Sequence, residues 1–123
     1  MYSEDLHNIL EMIEALESND VVLQVASEEP IDVHLFIKEE FKDGQIGYRV
    51  DEDGNSLLGE DEGDWIDDWH VIGYDEEIGD PIFVDITKVD YPVYTAAHGE
   101  GDWEPELLFE SMSDFLNHVK PRE

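Results

Sequence analysis

The sequence predicts an α+β domain, with consecutive antiparallel strands through its middle and a helix toward each end. Three observations carry that reading. Between Trp69 and Trp103 lie three short apolar runs: Val71-Ile72, Ile82-Phe83-Val84-Asp85-Ile86 and Val93-Tyr94-Thr95-Ala96. Each is rich in β-branched or aromatic residues and bounded by Gly, Pro or Asp, as successive strands are. Leu6, Ile9, Leu10, Ile13 and Leu16 recur at helical spacing near the start, and Phe115, Leu116 and Val119 do so near the end.

The elements follow in order. The first stripe predicts a helix over Ser3–Glu17, with Ser3 as N-cap and Glu4 and Asp5 at the positive end of the helix dipole. Val21–Ala26 is a short apolar run that predicts a strand, broken by Ser27-Glu28-Glu29-Pro30. Ile31, Val33, Leu35 and Ile37 then alternate with polar residues, which predicts a strand with one buried face. Phe36 interrupts the alternation, and a helix ending at Gly44 competes. Asp43-Gly44 followed by alternating Ile46, Tyr48 and Val50 favours a hairpin. Asp51–Asp64 reads as a polar loop in which Leu57-Leu58 anchors to the core. Trp69 leads into the strand Val71-Ile72 and is assigned to the core; Trp65 is divided between core and surface. Asp80-Pro81 and Pro92 open the next two strands, where a missing amide donor is tolerated. Asp85 is expected to point outward. Lys88–Tyr91 is a turn, and His98–Glu106 is an acidic loop. The final helix runs over Ser113–Lys120, capped by Ser111 or Ser113 and stopped by Pro121.

The chain of 123 residues is read as one domain over residues 1–123, large enough for a self-sufficient core. It has no cysteine, which excludes disulfides, thiolate metal sites and thiol catalysis. The N-terminus lacks a secretory pattern, and no apolar run approaches the ~20 residues of a membrane span. A soluble, cytoplasmic protein is expected. Six Lys plus Arg stand against 34 Asp plus Glu, a net charge of −28. Such a surface repels nucleic-acid phosphates and anionic membrane, and attracts basic proteins. Aromatic residues at 11%, gathered in strand-like runs, argue against disorder.

No motif carries enzyme chemistry. The glycines form neither GxxxxGK[ST] nor GxGxxG, and no GxSxG is present. With 34 acids, a carboxylate pair can be drawn anywhere and so signals nothing. None of His7, His34, His70, His98 and His118 has metal-motif spacing. His98, beside Glu100 and Asp102, is read as ordering its loop rather than as a base or ligand. Asp51-Glu52-Asp53-Gly54-Asn55 has the acidity of a calcium loop. Its Gly falls fourth rather than sixth and no helices flank it, so it reads as an acidic turn. No catalytic residue, no metal ligand and no cofactor are expected.

The central stretch resembles the SUKH superfamily, the Smi/Knr-type cell-wall assembly and immunity family. The matching residues are Trp69-His70-Val71-Ile72-Gly73, Gly79-Asp80-Pro81-Ile82-Phe83-Val84-Asp85 and Pro92-Val93-Tyr94-Thr95-Ala96-Ala97-His98-Gly99. They continue through Trp103 to Glu110-Ser111-Met112-Ser113-Asp114-Phe115-Leu116, and Gly47-Tyr48 and Gly54-Asn55-Ser56-Leu57 resemble a subgroup pattern. The resemblance implies a twisted, mainly antiparallel sheet with helices packed against it. It also implies a binding protein without shared catalytic chemistry. Bacterial members of the family neutralise a cognate toxin, often a nuclease or nucleic-acid deaminase; the cell-wall branch acts as an interaction scaffold. The sequence departs from the family before Ile46, where a helix ending in an Asn-Gly-Gly-like turn is missing or shortened.

A nuclease must approach phosphates, so its active face is basic, and an acidic inhibitor is steered onto it. The loops Asp51–Asp68 and Gly99–Glu106 join charge to aromatic anchors. The expected partner face is therefore Asp61, Glu62, Asp64, Trp65, Asp67, Asp68, His98, Glu100, Asp102 and Trp103. The expected partner is a basic toxin domain, with no nucleic acid and no membrane. Net charge opposes pairing of strand edges, so a monomer or weak homodimer is expected.

Overall fold

Apolar runs such as Ile82-Phe83-Val84 place side chains on both faces of a strand, so their sheet must be covered on both sides. The computed structural model, which describes residues 4–16, 18–24, 29–59, 64–66, 68–96, 103 and 105–121, meets that demand. Helix α1 (Glu4–Glu14) precedes strands β1 (Asp20–Leu23) and β2 (Ile31–Leu35). A short helix α2 (Lys38–Phe41) and a 3-10 turn (Asp43–Gln45) follow. Then come β3 (Trp69–Asp75), β4 (Pro81–Asp85), β5 (Val93–Thr95), β6 (Glu106–Phe109), helix α3 (Met112–Asn117) and β7 (Val119–Pro121). All seven strands form one antiparallel sheet in the order β6-β5-β4-β3-β2-β1-β7.

Six strands thus run as a meander, and β7 returns to the far edge beside β1. A flat sheet of this width separates its edges by roughly 29 Å at ~4.8 Å per strand. Residues 110–118, six of them helical, reach only about 20 Å. The sheet must therefore curl until its edges approach. The rings of Phe109, ending β6, and His118, just before β7, lie 4.8 Å apart.

Inside the curl, Ile9 and Ile13 of α1 and Met112 and Phe115 of α3 pack on Val21, Leu23, Val33, Leu35, Ile72, Ile82, Val84, Val93 and Phe109. Leu6 and Leu10 of α1 meet Phe41 of α2. The opposite face is covered by aromatic residues. Trp65 is almost fully enclosed, with ring centroids 5.4 Å from Tyr48, 5.3 Å from Trp69, 4.7 Å from Phe83 and 5.2 Å from Trp103. Its indole N–H donates to the Trp69 carbonyl at 3.2 Å. Between Val71 and Gly73 a bulge shifts the β3–β4 register, and Val71 joins this second cluster while Ile72 joins the first.

The expected α+β architecture and its terminal helices are present; several local expectations are overturned. The hairpin across Asp43-Gly44 does not form. Strand β2 pairs with β1 and β3, its continuation turns into α2, and residues 47–49 make a turn between Ile46 and Val50, which form only an isolated bridge. Asp85 is buried rather than outward, because both faces of β4 are covered; its carboxylate accepts from the Thr87 amide and hydroxyl. Of the Leu57-Leu58 anchor, Leu58 packs on the aromatic cluster and Leu57 is exposed. Val119–Pro121 is an edge strand, although Val119 and Lys120 are expected to end the last helix and Pro121 to stop it; at the edge Pro121 need donate nothing. Ser111 is the cap of α3, accepting the Asp114 amide at 3.0 Å.

Two substitutions test this packing. Trp65→Ala should cost about 3–5 kcal/mol in urea unfolding, the price of a large buried aromatic; a cost below ~1 kcal/mol would contradict the central position given to Trp65. Gly73→Ala places a methyl against the His34 carbonyl across the β2–β3 pair. It should lower stability by about 1–3 kcal/mol, seen as an earlier urea midpoint.

Candidate functional site

Where β2 ends, the chain lifts off the sheet and folds back as α2 and the 3-10 turn. Glu40 stabilises the start of α2 by accepting the Ile37 amide at 3.3 Å, and Phe36 donates its amide to Ile72 at 2.8 Å. The buried side chain of Gln45 then docks on β3. Its amide NH2 donates to the carbonyls of Phe41 (2.9 Å) and Val71 (2.7 Å), and its oxygen accepts the Val71 amide at 2.9 Å. Gln45 thus supplies Val71 with the partner that a longer β2 would have given.

This return leaves a groove of about 430 Å³, lined by His34, Phe36, Glu39, Glu40, Asp43, Gly44, Ile46, Tyr48 and Tyr74. Phe36 and Tyr74 stand 6.0 Å apart, with His34 at 5.5 Å from Tyr74. Tyr74 and Ile46 are among the large apolar side chains left exposed in the described residues. Burial, and then the charge of Asp80, hold the Tyr48 phenol above its ordinary pKa. Gly44 sits where a side chain would collide with the Phe36 ring, so glycine lets the return pass close to the sheet.

His34 forms the back wall. Its Nδ1 is 2.7 Å from Asp20 Oδ1, and its Nε2 is 3.0 Å from Glu40 Oε2. Asn19 steadies this pair, donating to Glu40 at 3.2 Å and to the Leu35 carbonyl at 2.9 Å. Burial alone would lower the imidazole pKa. The hydrogen bonds and charges of Asp20 and Glu40 outweigh it, and His34 is raised above its ordinary value. A carboxylate oxygen of Glu76 shares the neighbourhood: it, Asp20 and His34 each bring one potential metal-ligating atom within 4.8 Å of the others. A metal there has to displace a carboxylate already engaged with the ring, so the arrangement works first as a hydrogen-bonded hub.

The structure divides the expected partner face. Asp61, Glu62, Asp67, His98, Glu100 and Asp102 lie outside the described residues. Asp64 and Asp68 are half-buried. Trp65 is 1% exposed and serves the core, so it cannot anchor a partner, and Trp103 is partly buried in the same cluster. The acidic turn is a turn in fact. Asp51 Oδ1 accepts the amides of Asp53 and Asn55 at 2.9 Å, and these bonds, the Asn55 amide first, hold its carboxyl below the usual range. Sequence reasoning missed the groove. The outward positions of Asp32 and His34 on β2 were legible, but not their meeting with Asp20, Glu40 and Tyr74. No helix among the described residues is long and apolar enough to cross a membrane.

Comparison with known proteins finds no matching family model, no matching curated protein and no matching solved structure.

The raised His34 pKa fixes the sign of a pH effect. The contribution of the charged ring is complete below the ordinary histidine pKa of about 6.5 and is lost as pH rises through the raised folded value. His34→Gln should therefore cost more stability in urea unfolding near about pH 6 than near about pH 9. An equal cost at both would show that the ring acts uncharged.

Proposed function

We propose that this chain is a non-catalytic immunity protein that acts in the cytoplasm, binding and neutralising a basic toxin domain, such as a nuclease or nucleic-acid deaminase, of a bacterial toxin system. The observation that carries the reading is the net charge of −28 on an ordered α+β domain. Charge of this size steers a cationic partner into contact and repels the phosphates that such a toxin attacks. The SUKH resemblance of the central stretch and tail supplies the toxin-neutralising class. Catalysis is not needed, since covering an active face suffices.

The face assigned to the partner is acidic and joins two surfaces. Tyr48 lines the groove and packs 5.5 Å from Trp103, so the groove adjoins the base of the acidic loops. The exposed acids of the loops, among them Glu52 and Asp53, provide long-range attraction. Rim charges of this kind act mainly on the association rate and are screened by salt.

Affinity capture from the native host, washed at low and then high salt, tests the reading. A basic toxin domain, identified by mass spectrometry and released by salt, is the expected product. Reversing the acids of loops 51–68 and 99–106 should slow its association by at least ~10-fold at low ionic strength. Recovery of envelope or regulatory enzymes alone would replace the reading with that of a cell-wall scaffold.

A further inference from the structure

We infer that the groove between β2, β3 and the returning α2 segment receives an arginine side chain of the basic partner. The inference deepens the proposed toxin-binding reading and rests on it for the identity of the partner.

Three features of the groove specify its occupant. Its walls are aromatic and apolar: Phe36 and Tyr74 stand on the sheet, and Ile46 and Tyr48 face them from the return. Its rim is acidic, with Glu39 and Asp43 both exposed. Its back wall is the His34 ring, whose two nitrogens are already taken up by the carboxylates of Asp20 and Glu40. An occupant must therefore be flat and weakly hydrated to lie against rings, and cationic to meet the rim.

Guanidinium meets these demands better than ammonium. It stacks on aromatic faces and forks onto carboxylates, whereas a lysine head is a compact, strongly hydrated charge. The volume of about 430 Å³ falls in the range of small-ligand sites. Exposed Tyr74 and Ile46 are also the kind of apolar surface that a docked side chain covers. The net charge rejects phosphate and anionic lipid as rivals.

The test is a titration of the isotope-labelled full chain with N-acetyl-arginine amide, followed by backbone amide NMR shifts. N-acetyl-lysine amide at equal ionic strength is the comparator. Saturable shifts should centre on Phe36, the segment 39–48 and Tyr74, with the arginine derivative bound more tightly than the lysine one. Tyr74→Ala should weaken binding roughly 2- to 5-fold, the range of one exposed cation–π contact. Glu39→Lys, an exposed change on α2 that leaves the core alone, should remove saturable binding even if Tyr74→Ala proves unstable. Shifts spread evenly over the acidic surface, equal response to both derivatives, or indifference to Glu39→Lys would overturn the proposal. Two outcomes separate this inference from the parent reading. A captured toxin domain indifferent to Glu39→Lys would remove the groove and keep toxin binding. A groove saturated by arginine, with no toxin domain captured, would do the reverse.

Discussion

One side chain, Gln45, sets the position of everything at the site. Strand β2 separates from β3 after the Leu35–Gly73 pair, and Val71 would be left with an amide and a carbonyl facing buried space. An unsatisfied buried backbone group costs about 1–3 kcal/mol, so such a gap must be filled. The Gln45 amide fills it on both counts and binds the Phe41 carbonyl as well. The α2 segment is thereby held against the sheet at two points, Phe36 at its entry and Gln45 at its exit. The space enclosed between those points is the groove.

The aromatic cluster follows from a related constraint. A curled sheet whose inner face is filled by α1 and α3 still presents Val71, Phe83 and Tyr94 on the other side. Among the described residues no helix or strand covers them; the segments around Tyr48, Leu58 and Trp65 do so instead. Long side chains are required because the covering segments are irregular and few. That is why the tryptophans, which in an acidic loop resemble surface anchors, are spent on the core.

Legibility in the sequence divides along the same line. The helix α1 and the strands β3, β4 and β5 rest on periodicity and turn residues within each stretch, and they were readable. The hairpin at Asp43-Gly44 was misread because its signal is equally local, while the winning contacts, Gln45 to Val71 and Phe36 to Ile72, span the fold. Strand β7 was hidden because Val119 keeps helical spacing with Phe115 and Leu116, and its partner Leu23 is far away in the chain. His34 stood at a readable outward position, yet its meaning comes from Asp20 across the β1–β2 pair and Glu40 on α2. The groove is a tertiary object, and no window of the sequence contains it.

Charge and shape together give the functional account its form. In the proposed function, the overall charge would bring a basic partner near without selecting where it binds, and the groove would supply a place with directional contacts. Carbodiimide labelling of exposed carboxylates, compared between the free chain and its captured complex, tests this most directly. The account predicts strong protection of Glu39 and Asp43 in the complex, whether or not Glu52 and Asp53 on the 51–55 turn are protected as well. Protection confined to the turn, with Glu39 and Asp43 labelled as in the free chain, would contradict it.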